Sequence, residues 1–388
     1  MIRMEGNYFA KYEEIHKGGI RMIIMDIKID NFFAFKNFHM NMSYPKKIVD
    51  STIEKEYLED RPNFRYKKVN IIMGSNATGK TSLGKMVMLF ANYLKYGDVR
   101  IFYSAINHEG KPSSLTVDFV TDINVLYRFE LFIPVKVGEN YNDEEVGVKI
   151  VSTEIGMRDS YEQCRIRLDS GSGKEVKVGE INSRGWNFSY PKDAQKNKNY
   201  LSIENDERYR CILEHILKVL DPSVKGVIQV KEIANTYGIQ LENQTIIIQN
   251  GKIADTDILS SGTKAGLDIS YIIASLICNK HNLYYCDELF SYVNSDIEKT
   301  CLSIIIERLK GRKQLFFTTH NTNVLDMQLP KHSFTFLKKD VNDADEPIKC
   351  INAGQFLKRN TDSLKHAVEN DLFCTSPDLD KLYEIADL

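Results

Sequence analysis

The distribution of apolar residues divides the chain into runs with the period of a strand and stretches with the period of a helix. Residues 67–73, Lys-Lys-Val-Asn-Ile-Ile-Met, predict a buried strand, and residues 82–90 then follow a helical pattern. Further along, residues 265–278 have helical periodicity, whereas residues 283–286 and 314–317 predict two more buried strands. Buried strands that alternate with helices indicate an α/β fold.

A different pattern occupies residues 98–154, where apolar and polar positions alternate as they do in antiparallel strands. The clearest of these strands are predicted at residues 114–119 and 125–132. A chain of 388 residues is long enough for a large core, and we expect one α/β head with an inserted lobe. The predicted divisions are a flexible N-terminal extension at 1–21, the first part of the head at 22–154, the lobe at 155–250 and the second part of the head at 251–388.

Residues 74–81 read Gly-Ser-Asn-Ala-Thr-Gly-Lys-Thr and lie between the first predicted strand and helix. This is a phosphate-binding P-loop, and strand–loop–helix is the context that the motif requires. Glycines let backbone N–H groups surround phosphate oxygens, and the start of a helix adds positive potential. Lys80 is expected to reach the terminal phosphates, and the Thr81 hydroxyl to ligate Mg²⁺. The predicted nucleotide-binding residues here are Gly74, Ser75, Asn76, Ala77, Thr78, Gly79, Lys80, Thr81 and Ser82.

Two acidic residues follow the apolar run at 283–286. Asp287, at the carboxyl end of that strand, would lie beside the P-loop and hold Mg²⁺ through water. Glu288 would then orient or deprotonate the attacking water. In isolation, an ordinary strand that enters an acidic loop has the same pattern, so the flanking signals decide.

Two flanking signals favour the catalytic interpretation. Ser260, Ser261 and Gly262 precede the helical stretch at 265–278, and they would form an anion-binding helix N-terminus. His320 follows the run at 314–317, where it could contact a γ-phosphate. A strand-end histidine by itself is more often structural, but this one accompanies a P-loop and an acidic pair.

The order of these motifs, a P-loop, a Leu-Ser-x-Gly signature, Asp-Glu and then His, resembles that of the ABC-type ATPases. Within them the chain is similar to the OLD/RecF-like group, and above all to stand-alone OLD-like ATPases of anti-phage defence systems, such as the AriA subunits of PARIS. Residues 27–38 resemble the first strand and Asn-Phe turn of that group, residues 318–326 its histidine segment, and residues 334–340 its final strand. The resemblance covers roughly residues 22–388.

This resemblance implies an ABC-type P-loop ATPase head, a mixed sheet with helices, that carries an inserted α/β lobe. It implies ATP and Mg²⁺ as ligands, with Thr81 and Asp287 at the metal. Two heads would pair head-to-tail in a homodimer or higher homo-oligomer, with each ATP between one P-loop and residues 260–262 of the other subunit. Lys80, Glu288 and His320 would carry ATP hydrolysis, which would release the dimer.

The sequence departs from the family pattern at three points. Phe33 stands where relatives often have arginine, which removes an expected basic contact with the nucleotide. The acidic pair is not followed by His-Pro, and Asn294 occupies the loop that would face a second subunit. The glutamine of the Q-loop has only Gln163 as a candidate between residues 110 and 180, and it lies in a polar stretch.

Composition excludes several classes of protein. Hydrophobic residues make up 43% and charged residues 27%, as in an ordinary globular protein, and the net charge of −2 argues against a surface that binds polyanions throughout. The seven cysteines form no Cys-x-x-Cys pair, which favours reduced thiols in the cytoplasm. No apolar run approaches 18 residues, so no membrane segment is expected. The polar start contains Lys-Gly-Gly at residues 17–19, shortly before Met22, and codons for these residues can spell a ribosome-binding sequence. Translation from Met22 or Met25 and a genuine N-terminal arm are therefore both open.

Three functions stay open for the predicted ATPase. The leading hypothesis is a regulator that holds and releases an effector protein, a nuclease, in anti-phage defence. The second is a RecF-like repair clamp on DNA, for which basic residues interleaved with Trp186 and Tyr190 offer a possible surface, although acids mixed among them favour a solvated insertion. The third is an RNase toxin of the HEPN type, since Arg210 and His215 match Arg-x4-His, but their neighbours form a plain amphipathic helix. The interleaved basic residues are Arg165, Arg167, Lys174, Lys177, Arg184, Lys192, Lys196 and Lys198.

Overall fold

A computed structural model describes eleven stretches of the chain. They are residues 22–48, 51–121, 123–181, 186–189, 207–230, 232–233, 236–249, 252–253, 260–359, 362–374 and 383–387. The predicted extension at 1–21 and several of the basic residues named above, among them Arg184 and Lys192, lie outside these stretches.

The described residues form strands and helices in the following order. The strands are β1 (Ile23–Asp30), β2 (Phe38–Asn41), β3 (Tyr57–Leu58), β4 (Arg61–Arg65), β5 (Val69–Met73), β6 (Ser113–Val120), β7 (Val125–Ile133), β8 (Gly147–Glu154), β9 (Lys174–Glu175), β10 (Trp186–Ser189), β11 (Gly226–Gln229), β12 (Thr236–Gln240), β13 (Thr245–Gln249), β14 (Lys252–Ile253), β15 (Leu283–Asp287), β16 (Gln314–Thr318), β17 (Phe334–Lys339) and β18 (Ile348–Asn352). The α-helices are α1 (Lys80–Tyr96), α2 (Tyr161–Asp169), α3 (Glu207–Leu220), α4 (Ser261–Ile277), α5 (Ser295–Arg308), α6 (Ala353–Phe356) and α7 (Leu364–Glu369).

A six-stranded central sheet has the order β10-β15-β16-β5-β17-β18. Its first five strands are parallel, and β18 pairs antiparallel with β17. Strands β5, β15 and β16 are buried along their whole length, as expected for parallel strands covered on both faces. Asp287 pairs with Thr318, and Thr318 with Ile72, so the carboxyl ends of these three strands form one edge.

A second six-stranded sheet is antiparallel, with the order β2-β1-β6-β7-β8-β9. The strands predicted at 114–119 and 125–132 are confirmed as β6 and β7. Helix α1 packs between the two sheets, because Phe90 contacts Phe119 and Phe129 of the antiparallel sheet at ring distances of 5.3 and 5.2 Å. The mixed α/β architecture predicted from the sequence is thereby confirmed.

A smaller antiparallel sheet, β11-β12-β13-β14, packs against helix α3. Helix α3 in turn lies on α4, where Gly266 permits a close approach: a Cβ there would meet Leu220 at 2.6 Å and Leu217 at 3.1 Å. Other parts of residues 155–250 belong to the large sheets, since β9 extends the antiparallel sheet and β10 the central sheet.

The segment at 334–340, which resembles the final strand of the OLD-like group, forms β17, and β18 follows it and closes the edge of the central sheet. No helix among the described residues is long and apolar enough to cross a membrane.

Gly84 fixes the distance between α1 and the central sheet. A Cβ at this position would lie 2.4 Å from the ring of Tyr285, which stacks on Phe316 at 5.7 Å. We therefore expect Gly84→Ala to lower the free energy of unfolding by about 1–3 kcal/mol, since overpacking outweighs the better helix propensity of alanine. Chemical denaturation measures this, with Gly179→Ala as the control, because nothing lies within 4 Å of a Cβ at Gly179. Equal effects of the two substitutions would contradict the packing argument.

Candidate nucleotide-binding site

The P-loop connects β5 to α1 and is held against two neighbouring segments. Gly74 has a φ of 154°, and a Cβ there would lie 2.4 Å from the Leu337 carbonyl oxygen of β17. Gly79, with a φ of 94°, would direct a Cβ to 3.0 Å from the ring of Phe35. Only glycine fits either position, because the loop backbone lies close to both neighbours. Helix α1 begins directly after the loop, at Lys80. A helix start after such a loop is an anion-binding arrangement.

The remaining P-loop residues differ in exposure. Thr78 is buried and donates its hydroxyl to the Ser75 carbonyl oxygen at 2.9 Å, which closes the loop on itself. Asn76 and Ala77 are exposed, and Ala77 adopts a positive φ of 60°. Ser82, in the first turn of α1, is half-buried. The predicted phosphate-binding segment is therefore a folded loop with an accessible tip.

Lys80 is a buried cation at the centre of the site. Its side chain is 4% exposed, and its Nζ donates to the carbonyl oxygens of Gly74 at 3.0 Å and Ser75 at 3.1 Å. Glu288 Oε1 lies 3.5 Å from Nζ. Burial lowers the pKa of Lys80 below its usual value, and the nearby Glu288 carboxylate partly opposes this. A polyphosphate would supply the negative charge that this buried ammonium lacks.

Asp287 is a buried carboxylate that accepts one hydroxyl on each oxygen. Thr81 donates to Oδ2 at 2.6 Å and Thr318 to Oδ1 at 2.7 Å. Burial raises the pKa of Asp287, and the two hydroxyls act in the opposite direction. The sequence predicts Thr81 and Asp287 as neighbours, and the structure brings their side chains into direct contact. Thr318 is not predicted, because its only sequence signal is a polar residue at the end of a buried apolar run.

Glu288 lies between a cation and an imidazole. Its Oε1 is 2.8 Å from Nε2 of His320, in addition to the contact with Lys80. The hydrogen bond with His320 lowers the pKa of Glu288 more than any other influence, so the carboxylate is ionised at neutral pH. The Glu288 backbone has a φ of 46°, unusual for a residue with a side chain, and its N–H donates to Thr318 Oγ1 at 2.9 Å. Thr318 therefore fixes both acids.

The predicted signature residues form the start of α4. Ser260 is its N-cap, and its Oγ accepts a hydrogen bond from the Thr263 N–H at 3.1 Å. Ser260 and Ser261 are exposed, and a Cβ on Gly262 would meet the Tyr292 carbonyl oxygen at 3.2 Å. In the part of the chain that the structure describes, no hydrogen bond joins residues 260–262 to the P-loop. The structure therefore assembles Lys80, Thr81, Asp287, Glu288 and His320, and leaves the signature residues outside that group.

Gln163 has a structural role in α2. Its side-chain oxygen accepts from the Ser160 N–H at 2.8 Å in a capping box, which accounts for a glutamine in this polar stretch. Strand β10 is parallel to β15 and ends at Ser189 beside Cys286. Its carboxyl end therefore belongs to the same edge as Asp287.

The candidate ribonuclease residues are also engaged structurally. Arg210 donates to the Val227 carbonyl oxygen at 3.1 Å, while Glu214 accepts from the Val227 N–H at 3.0 Å. These two side chains of α3 cover backbone groups on the edge strand β11. His215 is exposed, with Nδ1 2.6 Å from the Cys211 carbonyl oxygen.

Ligands of a P-loop site can be tested against these side chains. No group of three or more His, Cys, Asp or Glu side chains in the described ranges could hold a metal ion alone. A P-loop Mg²⁺ does not need one, because it takes one or two protein oxygens together with phosphate oxygens and water. The adjacent oxygens of Thr81 and Asp287 meet that requirement, so the residues present fit Mg²⁺ with a nucleoside triphosphate.

No protein-family model and no curated protein sequence matches this chain. Solved structures do match it. An SMC head bound to the C-terminal winged-helix domain of ScpA has 13% identity and a TM-score of 0.50, over 89% of this chain and 99% of that one. The chain has the fold of an SMC head. A second SMC head structure is also similar to this chain. It has an extended coiled coil and is bound to the C-terminal domain of ScpA derived from Pyrococcus furiosus. It has 10% identity and a TM-score of 0.51, over 92% of this chain and 100% of that one.

RecF of the RecFOR pathway, in its ATPrS-bound form, is similar to 87% of this chain over 100% of its own length, with 14% identity and a TM-score of 0.43. The SMC-head fold confirms the fold class expected from the sequence, an ABC-type ATPase head. In this chain the P-loop and the acidic pair both lie at the carboxyl edge of the central sheet.

Proposed function

We propose that this chain is an ATPase that hydrolyses MgATP at the carboxyl edge of its central sheet. The observation that carries the proposal is the hydrogen bond of 2.6 Å between the Thr81 hydroxyl and Asp287, next to a Glu288 that contacts both Lys80 and His320. This combines a metal-binding pair, a phosphate-binding cation and an ionised general base in one place.

The side chains divide the work as follows. Thr81 and Asp287 would hold Mg²⁺, which when bound neutralises charge on the phosphates. Lys80 would exchange its contacts with the P-loop carbonyls for phosphate oxygens. Glu288 is ionised and can accept a proton from water, while His320 can donate a hydrogen bond and keeps the carboxylate in place.

We further propose that ATP closes a homodimer. Ser260 and Ser261 are exposed at the start of α4 and lie outside the P-loop cluster of their own chain, so they are free to meet a nucleotide on a second copy. Tyr292 is 65% exposed in the loop after Glu288, and its carbonyl oxygen would lie 3.2 Å from a Cβ on Gly262, so it would face the same partner. A clamp of this kind couples nucleotide state to assembly.

The biological role that we propose is control of an effector protein, a nuclease, in anti-phage defence. The motif resemblance to OLD-like ATPases supports it. A ribonuclease activity within this chain has less support, because Arg210 is committed to the backbone of β11. A role as a DNA clamp has less support too, since Arg167 pairs with Asp159 at 2.6 Å and Arg165 with Asp169 at 3.6 Å.

Affinity purification of the tagged chain with MgATP, from cells that carry its native operon, tests this role. We expect a nuclease in stoichiometric amounts with wild-type protein, and a different yield from a variant that cannot turn ATP over. ATP-dependent binding of duplex DNA that falls steeply with salt, without a protein partner, would instead establish the clamp. RNA cleavage by the lone chain that His215→Ala abolishes would establish the toxin.

A further inference from the structure

A buried carboxylate that the proposed chemistry does not use lies directly behind His320. Glu298, in the first turns of α5, is only 3% exposed. Its Oε1 accepts the Thr319 hydroxyl at 2.7 Å, and its Oε2 accepts the Asn321 Nδ2 at 2.6 Å. The residues immediately before and after His320 are thus both bonded to one side chain.

The same turn is held at further points. The Thr319 Oγ1 accepts the Asn321 N–H at 3.0 Å, so the hydroxyl that Glu298 orients also fixes the backbone beyond His320. Ser295 accepts Nδ2 groups from Asn321 and from Asn323, each at 2.8 Å. Both Ser295 and Glu298 belong to α5, the helix that follows the loop after Glu288.

We propose that Glu298 is a positioning residue that sets the orientation of His320 towards Glu288, an inference that rests on the ATPase function proposed above. His320 Nε2 meets Glu288 Oε1 at 2.8 Å across two segments that are 32 residues apart in sequence. Glu298 provides a second link between these segments. It belongs to α5, which follows the loop after Glu288, and its carboxylate accepts hydrogen bonds from both neighbours of His320. A shift of α5 therefore reaches the histidine through two hydrogen bonds.

Glu298 acts only as an acceptor towards its two neighbours. Thr319 and Asn321 each direct a donor at Glu298, and a carboxylate offers acceptors to both. In Glu298→Gln the amide has two orientations. If its oxygen faces Thr319, its NH2 group faces the NH2 group of Asn321, and two donors then oppose each other. In the reverse orientation the amide N–H donates to the Thr319 hydroxyl, whose own hydrogen is left without an acceptor. Either way one donor of this group is left unsatisfied, although the size and shape of the side chain are retained.

The test is a double-mutant cycle with Glu298→Gln, Asn321→Asp and the combination of the two. Asn321→Asp alone places two carboxylates together and also loses the bond. In the double variant, the new amide of residue 298 can donate to the new carboxylate of residue 321, which keeps its other oxygen for its contacts with Asn323 and Ser295. We expect each single variant to reduce kcat by about tenfold with the Kd for MgATP within about twofold, and the double variant to recover most of kcat.

A merely structural role would lower Tm and leave kcat of the folded protein unchanged, and that result would overturn the proposal. A double variant no better than the single ones would overturn it as well. If Glu298→Gln does not fold, the comparison of the double variant with Asn321→Asp carries the same decision. Absence of Mg-dependent ATP hydrolysis in the wild-type chain would reject the proposed function itself, whereas hydrolysis that is indifferent to Glu298 would reject only its positioning role.

Discussion

Replacing Glu288 by glutamine is expected to retain MgATP binding and to reduce turnover by about 10²–10⁴-fold. The amide keeps the size of the side chain and can still accept from His320, but it cannot take a proton from water. Lys80 and the pair of Thr81 with Asp287 are untouched, so the contacts proposed for the phosphates and Mg²⁺ remain. Single-turnover assays together with equilibrium nucleotide binding separate the two effects.

The same variant tests the proposed dimer. If hydrolysis opens the ATP-closed assembly, Glu288→Gln with MgATP accumulates as a dimer of the 44.6 kDa chain, whereas ADP leaves it monomeric. Light scattering after size exclusion measures the mass directly. Glu307→Gln makes the same chemical change at an exposed position of α5 and is expected to behave as wild type. Wild-type turnover by Glu288→Gln would remove Glu288 from its proposed role.

The sequence predicted the centre of the fold well, for a physical reason. Strands β5, β15 and β16 are buried on both faces, so they appear as short and mainly apolar segments. The P-loop follows β5, the acidic pair begins at the last residue of β15, and Thr318 ends β16. The approach of Asp287 to the P-loop follows from parallel strands whose carboxyl ends share one edge. Helix α1 was predicted because a P-loop determines where a helix begins.

What the sequence did not reveal depends on neighbours that are distant in the chain. Thr318 fixes both acids only because β16 lies beside β15. Strand β10 has four residues and half-buried positions, so no periodicity distinguishes it from a loop. Glu298 looks like an ordinary acid near a helix start, and its burial comes from the turn around His320. Tertiary contacts of this kind leave no local pattern.

Replacing Lys80 by alanine is expected to weaken MgATP binding at least about 100-fold. The buried ammonium is the only P-loop side chain that can neutralise terminal phosphate charge, and its substitution leaves Glu288 facing the nucleotide without a cation. Binding of a fluorescent ATP analogue or isothermal titration measures the loss. The thermal shift that saturating MgATP produces in wild-type protein should disappear, since a ligand raises Tm only in proportion to its occupancy of the native state.

Stability of the nucleotide-free protein separates this loss of binding from loss of fold. Because burial lowers the pKa of Lys80, the folded chain holds that proton less tightly than the unfolded chain does, and the protonated lysine contributes unfavourably to folding. Lys80→Ala removes this cost but also loses the contacts of Nζ with the two P-loop carbonyls and Glu288, and because these effects oppose each other we expect the Tm without nucleotide to stay close to that of wild type. Lys95→Ala, at the opposite end of α1, changes net charge equally and should bind MgATP normally. If Lys95→Ala weakens MgATP binding as much as Lys80→Ala, the loss of affinity comes from the change in net charge, and a direct contact between Lys80 and phosphate is refuted.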